Sequence, residues 1–435
     1  MLLEFKASNY KSFKDEFTFS MVPAPKQKGL DYSVMKLGTG KHAHKALCSA
    51  VIYGPNAAGK TNIIGAMDAF KAIVLRGNLK NDEIGSNPNA ASGMLELIPN
   101  NTLESPLPVT FSITFIEEDY HINYALSVDL GKFLSSDNKR KVVSEILVVN
   151  GVPVFNRGIR LEIGEIETFQ PLLVNAYEQN ADGAAELAKN NLSDEELFLM
   201  NGFKTMFSAK MTALITNWLE KKFTVVYSGN AVHISHKLSG LPGKTMILPE
   251  IYNNAINCFG VTANSIAYIK EGENEAAKLY SLFYDKGIPA EMFESYGTIR
   301  FVNIFPLVGN VLINGGTLVI DEFDASIHPM ALMSIINAFH NDEINVNRAQ
   351  LIFNTHNPIF LNDNLFRRDE IKFVERDDDS HNSSLYALSD FGAMGKNGVR
   401  KNEDYMKKYF IGRFGAIKDV DLAPVFEALT QEGGV

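Results

Sequence analysis

Apolar and polar residues alternate in several stretches of the chain, the spacing that places every second side chain on one face of a β-strand. Residues 1–24 predict a β-hairpin, because the alternation through Phe5 breaks at a turn over residues 9–13 and resumes at Phe17. Stretches rich in β-branched and aromatic residues predict an antiparallel meander over residues 109–115, 120–128 and 144–149. A further strand is expected over residues 266–269.

Other apolar residues recur at the three- and four-residue spacing of an amphipathic helix. Around Trp218 this spacing forms a stripe that is more typical of a packed core than of a ligand site. Ser193 and Glu196 have the spacing of a capping box, which predicts a helix start at residue 194. The predicted helices cover residues 62–70, 181–189, 194–199, 205–222, 248–257 and 275–285.

An unbroken apolar run at residues 50–53 predicts a buried strand that leads into a glycine-rich motif, Gly54-Pro55-Asn56-Ala57-Ala58-Gly59-Lys60-Thr61. The motif fits the P-loop pattern G-x-x-x-x-G-K-[ST], in which backbone N–H groups and a helix N-terminus face phosphates. We expect Lys60 to reach the β- and γ-phosphates and the Thr61 hydroxyl to bind Mg²⁺. A chance glycine-rich turn is the weaker interpretation, because the flanking strand and helix are both predicted. The expected nucleotide-binding residues here are Asn56, Ala57, Ala58, Gly59, Lys60, Thr61 and Asn62.

A second apolar run, residues 316–320, ends in the adjacent acids Asp321 and Glu322. Ligands of parallel α/β sheets bind at such carboxyl ends of strands, so the pair has the form of a Walker B motif. We expect Asp321 to hold Mg²⁺ and Glu322 to orient and activate the attacking water. Acid pairs are also common in surface turns. The presence of the P-loop favours the Walker B interpretation, because a nucleotide site needs both motifs.

Two further motifs carry chemistry that fits a nucleotide. The apolar strand at residues 351–353 is followed by a polar triplet whose last residue, His356, could contact the γ-phosphate and sense its loss. By itself a strand-end histidine is more typical of a structural residue.

Residues 295–297, Ser-Tyr-Gly, precede a helical pattern and offer a hydroxyl, backbone N–H groups and a helix dipole to an anion. The alternative is that Ser295 only caps the helix.

The composition narrows the class of protein. With 435 residues, of which 46% are hydrophobic and 21% charged, the chain has a globular composition and the length for two or three lobes. Its net charge of −10 provides no global positive field for nucleic acid, so any DNA contact has to be local. The two cysteines offer no disulfide framework, no apolar stretch approaches a bilayer span, and the first residues do not resemble a signal peptide. We therefore expect a cytoplasmic protein without membrane association.

Together, the motifs and their order resemble the ABC-type ATPase heads of the SMC, RecF and OLD-like group. The likeness is carried by GPNAAGKT, by SYGT as a signature, by LVIDEFDASIHP as Walker B with D-loop, and by NTH. The chain is more similar still to stand-alone prokaryotic ATPases of the abortive-infection type, such as those of PARIS-type and Septu-type systems. That likeness extends to residues 9–13, 192–199 and 409–416.

The resemblance implies an α/β fold, an ABC-type P-loop ATPase head with a mixed β-sheet and an inserted lobe. Residues 1–80 would form the first part of the head, with the hairpin and the P-loop. Residues 81–290 would form the inserted lobe of β-meander and helices. Residues 291–435 would complete the head with the signature, Walker B, D-loop and switch histidine.

The resemblance also implies how the site works. In ABC heads two subunits enclose ATP, so Ser295 and Gly297 would act on the γ-phosphate bound by the partner, and Asp324 in the D-loop would link the two sites. The expected cofactors are ATP and Mg²⁺, and the expected catalytic residues are Lys60, Glu322 and His356. The chain departs from the family at the Q-loop, because neither of its glutamines between the P-loop and the signature sits convincingly at a strand end.

The leading hypothesis is an ATP-hydrolysing switch subunit of a bacterial antiphage system, which self-associates and controls a separate effector such as a nuclease. The alternative is a RecF-like ATPase that binds DNA directly. Basic clusters at residues 139–141, 221–222 and 367–368 permit this function, although such clusters are more typical of solvated faces.

A third possibility is that the chain is itself a nuclease that uses the acidic run at residues 377–379. Fewer than about 60 residues follow this run, too few for a TOPRIM domain, so we expect a hairpin turn there.

Overall fold

A computed structural model gives the fold of the chain. It describes all residues except 26, 28, 38–43, 81–96, 101, 103–106, 131–139, 174–182, 184, 185, 228–244, 259–262, 264, 270–277, 285, 393–398, 400–402, 419 and 432–435. The strands are β1 (Leu2–Ser8), β2 (Phe17–Ser20), β3 (Val34–Leu37), β4 (His44–Leu47), β5 (Ser49–Tyr53), β6 (Val109–Glu117), β7 (Tyr120–Asp129), β8 (Lys141–Val149), β9 (Val152–Arg157), β10 (Leu161–Ile163), β11 (Phe223–Val226), β12 (Thr245–Ile247), β13 (Ser265–Ile269), β14 (Lys278–Phe283), β15 (Lys286–Pro289), β16 (Thr317–Ile320), β17 (Gln350–Asn354), β18 (Ile371–Arg376) and β19 (Ser383–Ala387). The helices used below are α1 (Lys60–Arg76), α2 (Ala209–Asn217), α3 (Glu250–Asn257), α4 (Ala290–Phe293), α5 (Tyr296–Asn314), α6 (Pro329–Phe339), α7 (Tyr405–Phe410) and α8 (Ala423–Gln431).

A seven-stranded antiparallel sheet has the order β10-β9-β8-β7-β6-β1-β2. The predicted hairpin is present, with Phe5 opposite Phe19 in the pairing of β1 with β2. The other edge of β1 pairs with β6, where Phe5 lies opposite Ile113. The meander therefore continues the N-terminal sheet, and the strand pairing does not follow the expected division at residue 81. The physical reason is that a strand has two hydrogen-bonding edges, and β1 pairs with β2 along one edge and with β6 along the other.

A six-stranded central sheet has the order β11-β16-β17-β5-β18-β19. Strands β11 to β18 in this order pair in parallel, and β19 pairs antiparallel with β18. This is the mixed sheet of the predicted α/β fold. Strand β11 belongs to the region expected to form the inserted lobe, yet it pairs with β16 inside the head. The parallel pairing brings the carboxyl ends of β5, β16 and β17 to one edge of the sheet.

The central sheet is covered on both faces, and its inner strands β5, β16 and β17 are buried along their whole length for that reason. Alternate residues of β5 enter different cores, because successive side chains of a strand point to opposite faces. Ile52 packs in the core that α1 shares with the seven-stranded sheet, where the Phe5 and Phe70 rings lie 6.0 Å apart. Val51 packs in the other core, with helices α5 and α6. The P-loop is thereby fixed between two packed layers.

Two of the predicted helices are wrong in part or in whole. Residues 278–283 form β14, inside a four-stranded sheet of order β12-β13-β14-β15, because strand pairing outweighs the local helical spacing. At the expected capping box the Glu196 carboxylate does accept from the Ser193 N–H at 3.0 Å, but residues 194–195 form a turn, Glu196 forms a β-bridge with Asn78, and helical structure begins at residue 198. Of the helix expected over residues 181–189, the described part is helical over residues 186–191.

The remaining helix predictions agree better with the structure. The stretch at residues 205–222 contains α2 and a helical turn, Trp218–Lys222. Trp218 is fully buried and stacks on Phe115, with ring centroids 4.0 Å apart, so its stripe belongs to the core as predicted. The predicted hairpin turn at residues 377–379 joins β18 to β19.

One described helix, α5, is long and apolar enough by length and composition to cross a bilayer. Arg300 and Asn303 interrupt its apolar residues, so α5 contains no unbroken apolar run of bilayer length. The apolar character of α5 has a use within the fold, since Phe301, Val302 and Ile304 are buried in the core that also contains Ile320 of β16.

Candidate functional site

The P-loop connects β5 to α1, as the sequence predicts. Within it, Ala57 and Gly59 have left-handed backbone conformations, with φ of 62° and 111°. A Cβ atom at Gly59 would lie 2.7 Å from the Ser12 Oγ and 2.8 Å from the Ser383 Oγ, so conformation and space both require glycine. Asn62, on the first turn of α1, donates to the Ser12 Oγ at 2.7 Å. The turn of the N-terminal hairpin therefore supports the phosphate-binding loop directly.

Lys60 is the first residue of α1 and is buried. Its ammonium group donates to the carbonyl oxygens of Gly54 at 2.8 Å and Pro55 at 3.0 Å. Burial lowers the pKa of Lys60 to about 8, and nearby carboxylates, first among them Asp321, offset only part of that effect. An anionic ligand would favour the charged form of Lys60 and so raise its pKa again, as expected for a P-loop lysine that binds phosphates.

The two predicted Mg²⁺ ligands meet although they lie far apart in the sequence. The Thr61 hydroxyl donates to the Asp321 carboxylate at 3.0 Å. Burial raises the pKa of Asp321, and hydrogen bonds from Asn354 and Thr61 act in the opposite direction. Mg²⁺ prefers oxygen ligands and is usually held by one or two carboxylates together with phosphates. This hydroxyl and carboxylate fit such an ion, which would neutralise charge on the phosphates.

Glu322 follows Asp321 in a constrained backbone position. Its φ is 50°, a left-handed conformation that is uncommon for a residue with a side chain. Its N–H donates to the Asn354 Oδ1, and its carbonyl oxygen accepts from the guanidinium of Arg300, a buried residue of α5. The backbone of Glu322 is thus held on both sides, which fixes the direction in which its carboxylate leaves the strand.

His356 and Glu322 line the same small cleft as the P-loop. The cleft has a volume of about 180 Å³, and its walls are Asn56, Ala57, Gly59, Lys60, Thr61, Asn62, Glu322, Asn354 and His356. Partial desolvation of the His356 ring, followed by the charge of Lys60, lowers its pKa, while three neighbouring acids act in the opposite direction. A neutral imidazole at this position offers one donor and one acceptor to a ligand.

The signature residues lie away from this cleft, on the exposed start of α5. The Ser295 hydroxyl caps the helix by accepting from the Thr298 N–H at 3.1 Å. Gly297 packs against the D-loop of its own chain, where an added Cβ would lie 2.1 Å from the Ser326 carbonyl oxygen. Among the described residues that line the cleft, neither Ser295 nor Gly297 appears. Their action across a subunit interface remains a prediction.

Asp324, the expected D-loop acid, accepts a hydrogen bond from the Thr355 hydroxyl at 2.7 Å. Thr355 directly precedes His356, so this bond joins the D-loop to the strand that carries the switch histidine. The link between two nucleotide sites that the resemblance implies for Asp324 stays a prediction.

Sequence reasoning missed three contributors to the site. Asn354 bonds both Asp321 and Glu322, and its position at the end of an apolar strand was the available signal. Arg300 is a buried arginine in an otherwise apolar helix, an exception that could have been noticed. Ser12 contacts the P-loop from the first hairpin, and no local pattern indicates that contact.

Comparison with known proteins gives a partial match. Residues 220–362, about a third of the chain, match the family described as an AAA domain, putative AbiEii toxin, Type IV TA system. This stretch contains the signature, the paired acids and His356 but not the P-loop. The match supports an ATPase-like domain. No curated protein matches the sequence.

Solved structures similar to the chain include heads of SMC proteins. One is an SMC head bound to the C-winged helix domain of ScpA, with 12% identity, 90% of this chain and 99% of that chain covered, and a TM-score of 0.39. The SMC head domain from Thermotoga maritima has 13% identity, with 89% and 98% covered and a TM-score of 0.34. An SMC head with an extended coiled coil, bound to the C-terminal domain of ScpA derived from Pyrococcus furiosus, has 14% identity, with 89% and 96% covered and a TM-score of 0.36.

Proposed function

We propose that the protein is an ABC-type ATPase that hydrolyses ATP with Mg²⁺ at an interface between two copies of the chain. The observation that carries this proposal is the contact of Thr61 with Asp321 at 3.0 Å, which joins motifs 260 residues apart in one cleft. Glu322 and His356 line the same cleft. One cleft therefore brings together candidate groups for binding phosphates, holding Mg²⁺ and activating water.

Each residue has a role in this reaction. Lys60 binds the β- and γ-phosphates, and Thr61 and Asp321 hold Mg²⁺, which neutralises phosphate charge when it is bound. Glu322 accepts a proton from the water that attacks the γ-phosphorus, so that the bond to the leaving ADP breaks and phosphate is released. His356 donates a hydrogen bond to the γ-phosphate and loses that partner after hydrolysis.

The size of the cleft supports a site shared between two copies. Its volume of about 180 Å³ suits a phosphate chain, whereas pockets that enclose a whole organic ligand measure about 300–1,000 Å³. Ser295 is exposed at the start of α5, where its hydroxyl, the backbone N–H groups and the helix dipole are presented outward. A second copy would place Ser295 and Gly297 over the phosphates and complete the enclosure.

Mixed subunits test this arrangement. We expect Lys60→Ala and Ser295→Ala to be inactive alone, because each removes one half of both sites. In a random mixture, half of the pairs contain one of each variant and one of their two sites is intact, so about a quarter of the parent turnover returns in a symmetric dimer. Phosphate release and the mass of the assembly are measured together. A mixture that stays inactive while mixed pairs form would contradict a shared site.

We further infer a cytoplasmic switch subunit of an antiphage defence system that controls a separate effector such as a nuclease. The matched family, described as a putative AbiEii toxin, supports the link to abortive infection. Hydrolysis at a subunit interface changes that interface, which is a means of switching a bound effector. Purification with the products of neighbouring genes, with and without ATP, tests for such an effector. Recovery of the chain alone under both conditions would count against it.

Three cations of the basic clusters give the RecF-like alternative little support. Lys222 is paired with Glu117 at 2.6 Å, Arg367 with Asp369 at 2.9 Å, and Arg368 donates to the Gln27 side chain. Cations that already have partners inside the chain are poorly placed to follow a phosphate backbone. The acidic run at residues 377–379 is likewise part of a turn, in which Asp377 accepts from the Ser380 N–H at 2.7 Å.

A further inference from the structure

A second cavity adjoins the opposite end of the central sheet. Its volume is about 770 Å³, within the range of pockets that hold organic ligands. Arg348 and Arg367 line it just before β17 and β18 begin, and Lys45 lines it on β4, which leads into β5. The cavity therefore lies at the amino ends of the strands whose carboxyl ends carry the nucleotide cleft.

Three exposed cations line this cavity, and we call Lys36, Lys45 and Arg348 the cavity cations. Lys36 and Lys45 are direct partners across the two-stranded β3-β4 hairpin. Within the described part of the chain, none of the three has a salt bridge with a carboxylate. Arg367, by contrast, is nearly fully buried, and its guanidinium is already bound to Asp369 and to the Gly29 carbonyl oxygen.

The arrangement of the cavity cations is unfavourable for the chain by itself. Like charges directly opposite each other destabilise a strand pair, and a two-stranded hairpin is marginally stable to begin with. Arg348 has a φ of 57°, a left-handed conformation that costs energy for a residue with a side chain. An anion bound between these cations would offset the repulsion.

The other residues that line the cavity indicate which further chemical groups the ligand carries. Pro23, Val34 and Val346 provide apolar surface, while Asp31 and Asp342 add carboxylates that accept hydrogen bonds from hydroxyl or amino groups. We propose that this cavity binds a phosphate-bearing ligand of nucleotide chemistry. The phosphate lies between the cavity cations, the base lies against the apolar wall, and the sugar hydroxyls or base amino groups donate to the carboxylates. A free nucleotide and the end of a nucleic-acid strand share this chemistry.

Binding in the Lys60→Ala background separates this site from the P-loop. The probes are a fluorescent N-methylanthraniloyl ADP and a fluorescein-labelled decathymidylate, titrated at low salt and followed by anisotropy. We expect at least one probe to bind, and the double variant Lys36→Glu/Lys45→Glu to weaken that binding about tenfold or more. The matched control is Lys204→Glu, an exposed lysine of the helical region, which is expected to leave the affinity within twofold. Binding of only the first probe identifies a free nucleotide, and stronger binding of the second a nucleic-acid strand.

A second variant keeps the test decisive if the charge reversals disturb the hairpin. Arg348→Gly removes one cavity cation and also relieves the left-handed backbone, so it is expected to weaken binding while the thermal midpoint stays equal or rises. Failure of both probes to bind at millimolar concentration overturns the proposal. Unchanged affinity in both the double variant and Arg348→Gly overturns it as well.

Discussion

The two ends of the central sheet hold similar polar side chains, which are buried at the amino ends and partly exposed at the carboxyl ends. At the amino ends, the hydroxyl of Ser49 lies 2.8 Å from the His340 Nε2 and donates to the Glu370 carboxylate at 2.7 Å, and all three residues are buried. At the carboxyl ends, Glu322 is half-buried and His356 is exposed. Both ends combine a hydroxyl, a histidine and a carboxylate, but only Glu322, His356 and Thr61 at the carboxyl ends line a cleft, whereas Ser49, His340 and Glu370 line neither described cavity.

The comparison shows which features distinguish a structural set from a reactive one. In the Ser49 set, the Ser49 hydroxyl, the His340 Nε2 and the Glu370 carboxylate are bonded to one another in a closed interior, as most buried polar groups are. The set at the carboxyl ends keeps a left-handed Glu322 and a Lys60 of lowered pKa next to solvent. Strain and perturbed protonation beside an open cleft indicate a ligand, whereas residue type by itself does not.

The largest effect on turnover is expected from Glu322→Gln. The amide keeps the shape of the carboxylate but cannot accept a proton, so kcat falls by about 10²–10⁴-fold while nucleotide binding and the thermal midpoint are preserved. Phosphate release and nucleotide titration measure the two properties separately. A variant that turns over within threefold of the parent would remove Glu322 from the mechanism.

At the other end of the sheet, Glu370→Ala should reverse this pattern. The change leaves Ser49 and His340 without their buried acceptor, and we expect the free energy of unfolding to fall by about 3 kcal/mol. Urea denaturation measures the loss, and the folded fraction should hydrolyse ATP at the parent rate. The control Glu343→Ala, at an exposed acid, is expected to change stability by less than about 0.5 kcal/mol. Equal stability of the two variants would contradict a structural role for Glu370 at the amino ends of the sheet.

Arg300→Lys tests whether the backbone of Glu322 has to be held in place. The guanidinium donates to the Glu322 carbonyl oxygen and lies 3.4 Å from that of Asp321, a geometry that a single ammonium group does not reproduce. We expect kcat to fall by about 10- to 100-fold through misplacement of the carboxylate, with KM little changed. The control Arg160→Lys, at an exposed arginine, should have no effect. A rise in KM at constant kcat would assign Arg300 to binding instead.

The smallest expected effect is on the pH dependence of nucleotide binding. Because the pKa of Lys60 is lowered to about 8, the free protein loses this charge as the pH rises through that value. Only the ammonium form attracts phosphate, so affinity should fall by up to about tenfold between pH 7 and pH 9. Nucleotide titrations at several pH values measure the change. In Lys60→Arg the decline should disappear, and an equal decline there would point to another group.

Motifs that are contiguous in the sequence could be predicted, and contacts between distant segments could not. The P-loop and the strand that delivers Asp321 and Glu322 follow from local patterns. A lone arginine in the helix could have been noticed, but the partner of Arg300 depends on which face of α5 meets β16. The pairing of β1 with β6 joins residues more than 100 positions apart and leaves no local signal. The misread β14 illustrates the same limit, since its partner strands decided its conformation. Ser295, Gly297 and Asp324 remain predictions as nucleotide contacts.

The hydrogen bonds from Lys60 to the Gly54 and Pro55 carbonyl oxygens have a consequence for selectivity. They act as an internal competitor, because an incoming ligand has to replace part of this bonding before it gains the full charge of the ammonium group. A triphosphate offers two phosphates to that group, whereas a diphosphate offers only its terminal one and recovers less. Under the proposed function, we therefore expect the free loop to favour ATP over ADP, which would help ATP to replace ADP.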